Sequence, residues 1–244
     1  MPPILDVVIP VLNEAKTLES QIMKLQNFLA EHSNLNFVYQ IIIADNGSTD
    51  DTLKIAHNLA SVSQRIRVVS VGVPGVGLAL RTAWATSNSE YIGYMDLDFS
   101  TELIHLADVE KIFNEKYDCV FGSRLLPESR VKGRTFKREI TSRVFNSVIK
   151  SVFNSSVSDA MCGFKFLRRE KLRDALHHGA GCDGWFFCAE LTVTSQIAGH
   201  RIYDLPVFWQ DAPGSKVRIL TLTTRYIADI LRFRKRVKLI HKTL

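Results

Sequence analysis

The chain alternates between short apolar runs and longer stretches with helical spacing. Ile4 to Val11 (ILDVVIPV) is apolar and rich in β-branched residues, which is the pattern of a buried strand. Residues 14–31 follow, with Leu18, Ile22, Leu25 and Leu29 three or four apart, as on one face of a helix. The same alternation continues. Strands are predicted at Phe37 to Ala44, Arg67 to Val71, Tyr91 to Met95 and Cys119 to Phe121. Helices are predicted over 50–61, 76–87 and 102–114, with Ser48 or Asp50 able to cap the first of these. Strand–helix alternation of this kind implies an α/β fold with a mostly parallel, doubly wound sheet flanked by helices.

Beyond residue 123 the texture changes. Residues 124–134 read as a basic loop and 135–154 as a helix with two apolar rows. One row is Phe136, Ile140, Val144, Val148 and Val152; the other is Phe145, Ile149 and Phe153. A short strand is expected at 163–168, a helix at 183–198, a strand at 201–209 and a basic amphipathic helix at 218–238. No internal repeat or low-complexity linker interrupts the pattern. One domain over 1–218 is the economical reading, with halves at 1–123 and 124–218 and a C-terminal amphipathic helix (219–244).

Charge sharpens that division. Residues 1–123 hold 8 Lys+Arg against 15 Asp+Glu, and residues 124–244 hold 23 against 10. The acidic half suits a metal ion and the basic half suits a polyanion. The basic residues come with no nucleic-acid-binding motif, so no nucleic-acid partner is expected. The four cysteines lack CxxC spacing, so they read as buried apolar residues rather than a zinc site. No signal peptide and no transmembrane helix are apparent, which makes the cytosol the expected compartment.

In doubly wound sheets ligands bind beyond the carboxyl ends of the strands. The residues placed there are Asn13 and Glu14, Asp45 to Asp50, and Asp96 to Asp98. Asp96 and Asp98 flank Leu97 just after a strand, so both carboxylates can point one way and hold a hard divalent cation against phosphate oxygens. Asp45 is placed to accept hydrogen bonds from a nucleobase or ribose, while Ser48 to Asp50 suit a turn and a cap. Gly75 and Gly77 are two glycines of a dinucleotide loop without the third, and they follow the third strand, which argues against NAD. Trp185, Phe186 and Phe187 fit either the core or a sugar platform, with the core preferred.

The ordered pieces VVIPVLNE, IIADNGSTD, GVGLALRTAW, YMDLDFST, GSR, DAMCGF, FFCAEL and GSKV resemble family 2 glycosyltransferases. More narrowly, they are similar to the polyprenyl-phosphate hexose synthases, over about residues 5 to 218. The resemblance implies a GT-A-type fold with a nucleotide-sugar half over 1–123 and an acceptor half over 124–218, and Mg²⁺ or Mn²⁺ as cofactor. It implies Pro10, Leu12, Glu14, Ile43 and Asp45 around the nucleoside, with Arg81 and Leu97 on the same donor side. Asp96 and Asp98 would hold metal and diphosphate. Arg124 would contact sugar or phosphate, Arg138 and Ser142 the acceptor phosphate, and Asp159 the acceptor-side loop. Arg134, Lys137 and Arg143 cluster around Arg138 and favour polyphosphate; Glu190 would lie under the sugar, or serve as a buried partner for one of those arginines, and Lys216 would close over phosphate. Asn46 departs from the family by standing where a second aspartate is common.

The expected activity is inverting transfer of a hexose, glucose or mannose, from UDP- or GDP-hexose to a polyprenyl phosphate. A phosphate nucleophile is already ionised and needs orientation more than a base. The alternative is a family 2 enzyme acting on a hydroxyl, with Asp159 or Glu190 as base. A polyprenyl acceptor places the protein on the cytosolic membrane surface, peripherally or with a membrane-protein partner. The helices at 135–154 and 218–238 would then lie in the interface, or else complete the core.

Overall fold

The computed structural model describes residues 4–32, 38–211 and 219–243. In chain order the elements are β1 (Ile4–Val11), α1 (Leu18–Glu31), β2 (Val38–Asp45), α2 (Thr52–Val62), β3 (Ile66–Ser70), α3 (Val76–Ala85), β4 (Tyr91–Met95) and α4 (His105–Asn114). There follow β5 (Cys119–Ser123), β6 (Arg130–Lys132), α5 (Phe136–Phe153), β7 (Phe164–Arg168), α6 (Arg169–His177), α7 (Phe187–Ile197), β8 (Ile202–Pro206), β9 (Phe208–Gln210) and α8 (Ile219–Thr243).

Seven strands form one sheet in the order β3-β2-β1-β4-β7-β5-β8, and β6 pairs with β9 in a small second sheet. In the large sheet β7 runs antiparallel to both its neighbours, while the other pairs are parallel. The order reverses between β1 and β4, so the carboxyl ends of those two strands flank a crevice. Because β7 is antiparallel, its first residue, Phe164, pairs with Met95, the last of β4. This register brings the chain before β7 up to the end of β4.

Alternation along the strands builds two apolar layers. Val7, Ile9 and Val11 of β1 join Ile41 and Ile43 under α1, α2 and α4. Val8, Ile42, Ala44, Tyr94 and Phe121 face α3, α6 and α7 on the other side. The four periodic residues of α1 are all buried, each contributing about 2 kcal/mol by leaving water. A third cluster joins Ile149 of α5, Phe186 and Val193 beside and on α7, and Ile230 and Phe233 of α8. Helix α8 is thus packed into the molecule by its inner face.

The two rows of α5 separate except at Val152. Phe145, Ile149 and Phe153 turn inward, and Val152 packs with them. Phe136, Ile140, Val144 and Val148 remain 80, 46, 58 and 40% exposed. Three features differ from the sequence expectation. The basic loop contains the short strand β6, a further helix α6 follows β7, and the strand expected over 201–209 is broken at Val207 into β8 and β9. Among the described residues no helix is long and apolar enough to cross a membrane. All four cysteines are free, three of them buried and Cys182 partly so.

Candidate active site at the carboxyl edge of the sheet

The loop after β1 is built by its own polar residues. Asn13 takes a positive φ of 55°, a conformation asparagine tolerates better than most. Its N–H donates to Ser48 Oγ at 2.9 Å, and its side-chain oxygen accepts the Thr49 N–H at 2.8 Å. Asp50 accepts from the Thr52 and Ala15 N–H groups, which ties the start of α2 to the start of α1. The N-cap position itself is Asp51. Asn46 is buried; its amide donates to Val11 O at 2.9 Å and accepts from Gly75 N–H at 3.3 Å. An ionised aspartate at this position could not make the side-chain donation to Val11 O.

The donor-side residues fall into distinct environments. Asp45 is buried and accepts from Gly47 N–H, Ser48 N–H and Ser70 Oγ, so it closes its own turn. Leu12 is exposed beside the crevice, and Glu14 is half-buried and accepts from Thr17 Oγ1 at 2.7 Å. Pro10 and Ile43 are buried within β1 and β2, with Ile43 inside the core layer. Arg81 of α3 donates to Cys182 O at 2.8 Å and pairs with Asp183, while its guanidinium lies 5.4 Å from the Phe187 ring centre. Gly77 lies beneath the same loop: a Cβ there would stand 2.1 Å from Cys182 O. Gly75 and Gly77 therefore allow α3 to approach the 181–184 loop closely.

Asp96 and Asp98 stand at the end of β4. Leu97 between them is buried, Asp98 is exposed, and its Oδ1 accepts the Ser100 N–H at 2.9 Å. Asp96 is half-buried, and its Oδ1 is sheltered from solvent without a hydrogen-bond partner. Burial first, and the neighbouring Asp98 charge second, push its carboxyl up to about 7, with Arg124 pulling the other way. Gly163, just before β7, leaves room for this group: a Cβ at 163 would lie 2.1 Å from Asp96 Oδ2.

Two carboxylates that resist sharing negative charge, one with an orphaned oxygen, fit a divalent cation. Among the described residues no three His, Cys, Asp or Glu side chains gather into a metal cluster. A cation on Asp96 and Asp98 would complete its shell from phosphate oxygens and water, as Mg²⁺ commonly does.

Across the crevice lies a bay of arginines. Arg124 follows β5 and donates through Nε and Nη2 to Asp159 at 2.7 and 3.0 Å. Its guanidinium sits 4.8 Å from the Trp209 ring centre. Asp159 is fully buried and also accepts from Asn146 and the Met161 N–H. Burial alone would raise its carboxyl, but Arg124 holds it down at about 2. Breaking such a buried pair by removing one partner costs about 3–5 kcal/mol. Arg138 of α5 pairs with Asp211 at 3.0 Å. Ser142, one turn on, is held by Arg134.

Glu190 is the buried partner of an arginine, but the arginine is Arg236 of α8 rather than one from residues 134–143. Its other oxygen accepts the Gly181 and Cys182 N–H groups at 2.7 and 2.6 Å. It therefore shapes the loop ahead of α7. Phe186 and Phe187 belong to the core, as preferred from sequence; Trp185 does not, being 46% exposed. Lys216 lies outside the described residues.

The sequence places Arg134 only as a member of the basic cluster around Arg138, and assigns no part to Asp211, Trp209 or Lys165. Arg134 is nearly buried between Ser142 and Glu139, and burial followed by Arg124 lowers its pKa. Lys165 is fully buried with Nζ 4.6 Å from the Phe121 ring centre. A lysine inside the apolar run FKFLR was the available signal for it. Nothing in the one-dimensional pattern brings Asp211 to Arg138.

The glycosyl transferase family 2 model matches residues 6–176, a span holding β1 to β7, the carboxylate pair and most of the arginine bay. The chain belongs to glycosyl transferase family 2. Among relatives of this family 2 glycosyltransferase, AglD of Haloferax volcanii is 34% identical over 220 residues, covering 88% of this chain and 34% of AglD. The chain thus spans about a third of that protein. A dolichyl-phosphate beta-glucosyltransferase of Dictyostelium discoideum is 30% identical, covering 95% of this chain and 74% of the relative. Among solved structures, glucosyl-3-phosphoglycerate synthase of Mycobacterium tuberculosis with UDP superposes with a TM-score of 0.64 at 20% identity. It covers 96% of this chain and 80% of that one, and establishes a GT-A-type fold. The same synthase has been crystallised with Mn²⁺ and UDP-glucose, with a TM-score of 0.62 at 20% identity, covering 95% of this chain and 79% of that one.

Proposed function

We propose that this family 2 glycosyltransferase moves a hexose from a nucleoside-diphosphate sugar to a polyprenyl phosphate, inverting the anomeric centre. The observation that carries the reading is the juxtaposition of the Asp96–Asp98 pair with a bay of arginines on one edge of the sheet. Asp45, Glu14 and Leu12 would meet the nucleoside of the donor, UDP- or GDP-linked, with Pro10 and Ile43 forming the strands behind it. Arg81 would set the loop that covers the sugar. Asp96 and Asp98 would hold Mg²⁺ or Mn²⁺, and Leu97 would fix their spacing. The cation would supply charge stabilisation for the departing diphosphate.

The nucleophile is better read as a phosphate than as a hydroxyl. A hydroxyl acceptor needs a positioned base. Asp159 is locked to Arg124 at a pKa of about 2, and Glu190 is enclosed by two backbone N–H groups and Arg236. Asp159 is therefore unsuited to taking a proton at neutral pH; burial raises the Glu190 carboxyl, but both its oxygens are occupied by these partners. A phosphate monoester needs cations that orient it, and Arg124, Arg138 and Ser142 would provide them, with Lys216 as a further cation. The names of the relatives support glucose and dolichyl phosphate as the first donor sugar and acceptor to test.

A polyprenyl tail requires a lipid surface. The exposed row Phe136, Ile140, Val144 and Val148 would enter the cytosolic leaflet, flanked by Lys137, Arg143 and Lys150. The basic outer face of α8, including Arg232, Arg234, Lys235 and Lys238, would meet anionic headgroups, each such residue worth about 1 kcal/mol. A membrane-protein partner would fit the same face. The test incubates the protein with Mn²⁺, labelled UDP-glucose, UDP-galactose, GDP-mannose and polyprenyl phosphate. Label from one hexose should enter the organic phase as a β-linked lipid phosphate. Label reaching only soluble hydroxyl acceptors would overturn the acceptor assignment.

A further inference from the structure

The three arginines of the bay are paired with three carboxylates in different ways. Asp159 grips Arg124 at both Nε and Nη2, is completely buried, and is braced by Asn146 and the Met161 N–H. Glu139 stands on the same helix as Arg143 and bridges it to Arg134. Asp211 comes from elsewhere, one residue beyond β9. It reaches Arg138 through Oδ2 at Nη1, 3.0 Å away, with 13% of its side chain and 24% of the arginine's exposed. Its Oδ1 accepts Trp209 Nε1–H at 2.7 Å, and its own N–H donates to Lys132 O at 3.1 Å. Burial opposes its charge, but Trp209 and Arg138 more than offset this and keep the carboxyl ionised.

This carboxylate therefore touches both sides of the bay. It neutralises the arginine that begins α5, and it fixes the indole whose face carries Arg124. A phosphate monoester binds arginine through the same N–H donors that a carboxylate uses, and binds more strongly when two donors engage in parallel. An anion that takes the Nη1 edge of Arg138 must compete with Asp211.

We propose that Asp211 is an internal counter-anion that stands on Arg138 where the acceptor's phosphate binds, and that the two exchange. Asp211 is thus a positioning residue for the acceptor. Without the acceptor it holds Arg138 neutralised and poised beside Ser142. When the phosphate arrives, Arg138 changes partner, and the freed carboxylate no longer restrains Trp209 under Arg124. Acceptor binding is weakened by the energy of the pair it replaces, and donor binding is not. The proposal rests on the phosphate-acceptor reading above and adds to it the residue that sets acceptor affinity.

The experiment uses the full chain and the substitution Asp211→Asn, which removes the charge and keeps an oxygen for the Trp209 N–H. Binding of inorganic phosphate and of a short-chain polyprenyl phosphate is measured by calorimetry without donor, and steady-state kinetics are measured with it. Both anions should bind about fivefold tighter, the factor that corresponds to losing a partly exposed competing ion pair. The acceptor KM should fall by a similar factor, with donor KM and kcat unchanged. Glu128→Gln, which neutralises an exposed carboxylate on the loop between β5 and β6, should leave all of these values unaltered. In an Arg138→Gln background the effect of Asp211→Asn should vanish.

Weaker acceptor binding or a lower kcat in Asp211→Asn would overturn the proposal, since Asp211 would then be holding Arg138 in its working geometry. Equal tightening by Glu128→Gln, or an effect that survives Arg138→Gln, would also overturn it by assigning the change to general charge. Should phosphate bind more tightly to Asp211→Asn while polyprenyl phosphate binds neither protein, the acceptor reading fails and the exchange stands. Should lipid transfer proceed with no response to Asp211→Asn, the exchange fails and the acceptor reading stands.

Discussion

Asp96 and Asp98 are two residues apart, yet their surroundings separate their chemistry. Asp98 is exposed and oriented by the Ser100 N–H, while Asp96 is walled in by Gly163 with one oxygen left unpartnered. Burial and the Asp98 charge raise the Asp96 carboxyl to about 7. A cation held there would compete with a proton for the same oxygen near neutral pH. Mn²⁺ binding to the free protein, followed by the loss of its solution electron-spin signal, should weaken as the pH falls from 8 to 6. In the metal-free protein the linkage has the opposite consequence. A folded pKa above the unfolded value means that stability present at pH 4 is lost as the pH rises through about 7. Asp96→Asn should remove both dependences, and pH-independent Mn²⁺ affinity in the unaltered protein would contradict this account. The acidic pair could be read from its place after a strand, but the asymmetry could not, because it comes from Gly163, 65 residues away along an antiparallel strand.

The elements were legible wherever local periodicity and burial agree. The five strands up to Ser123 lie within one or two residues of the ends their apolar runs suggest, and α1 buries the four residues its spacing selects. Helix α6 was not foreseen because REKLRDALH is mostly charged, and only Leu172 and Ala175 reach burial. Pro206 marks the break at Val207 within the run over 201–209, which redirects the chain from β5 to β6. The two rows of α5 were both visible, but sequence could not say which one was covered. That choice depends on α7 and α8, which take Phe145, Ile149 and Phe153. The exposed row carries a prediction. Replacing Ile140 and Val144 together by serine should leave the melting temperature within about 2 °C, since exposed positions contribute little to stability. The same change should weaken flotation with anionic vesicles about tenfold or more, from the apolar area withdrawn from lipid. Undiminished flotation would take the row out of membrane binding.

On the scale of the molecule, the charge division along the chain becomes a division across one crevice. The carboxylates of the first half end β4, and the arginines of the second half follow β5 and begin α5. The strand order makes this possible by placing β7 between β4 and β5 and so separating the two groups by one antiparallel strand. Helix α8 belongs to the same unit, through Phe233 in the core and Arg236 on Glu190. Deleting it would uncover that core, so substitutions on its outer face are the cleaner probe of its role. If the Asp96–Asp98 pair holds a cation against the donor's diphosphate, as proposed, nucleotide binding must depend on that cation. The most direct measurement is nucleoside-diphosphate binding by calorimetry, with Mn²⁺ or with EDTA, in the unaltered protein and in Asp98→Ala. Binding should tighten at least tenfold with Mn²⁺, and Asp98→Ala should erase this gain without lowering the melting temperature. Equal binding with Mn²⁺ and EDTA, or a gain from Mn²⁺ that persists in Asp98→Ala, would contradict it.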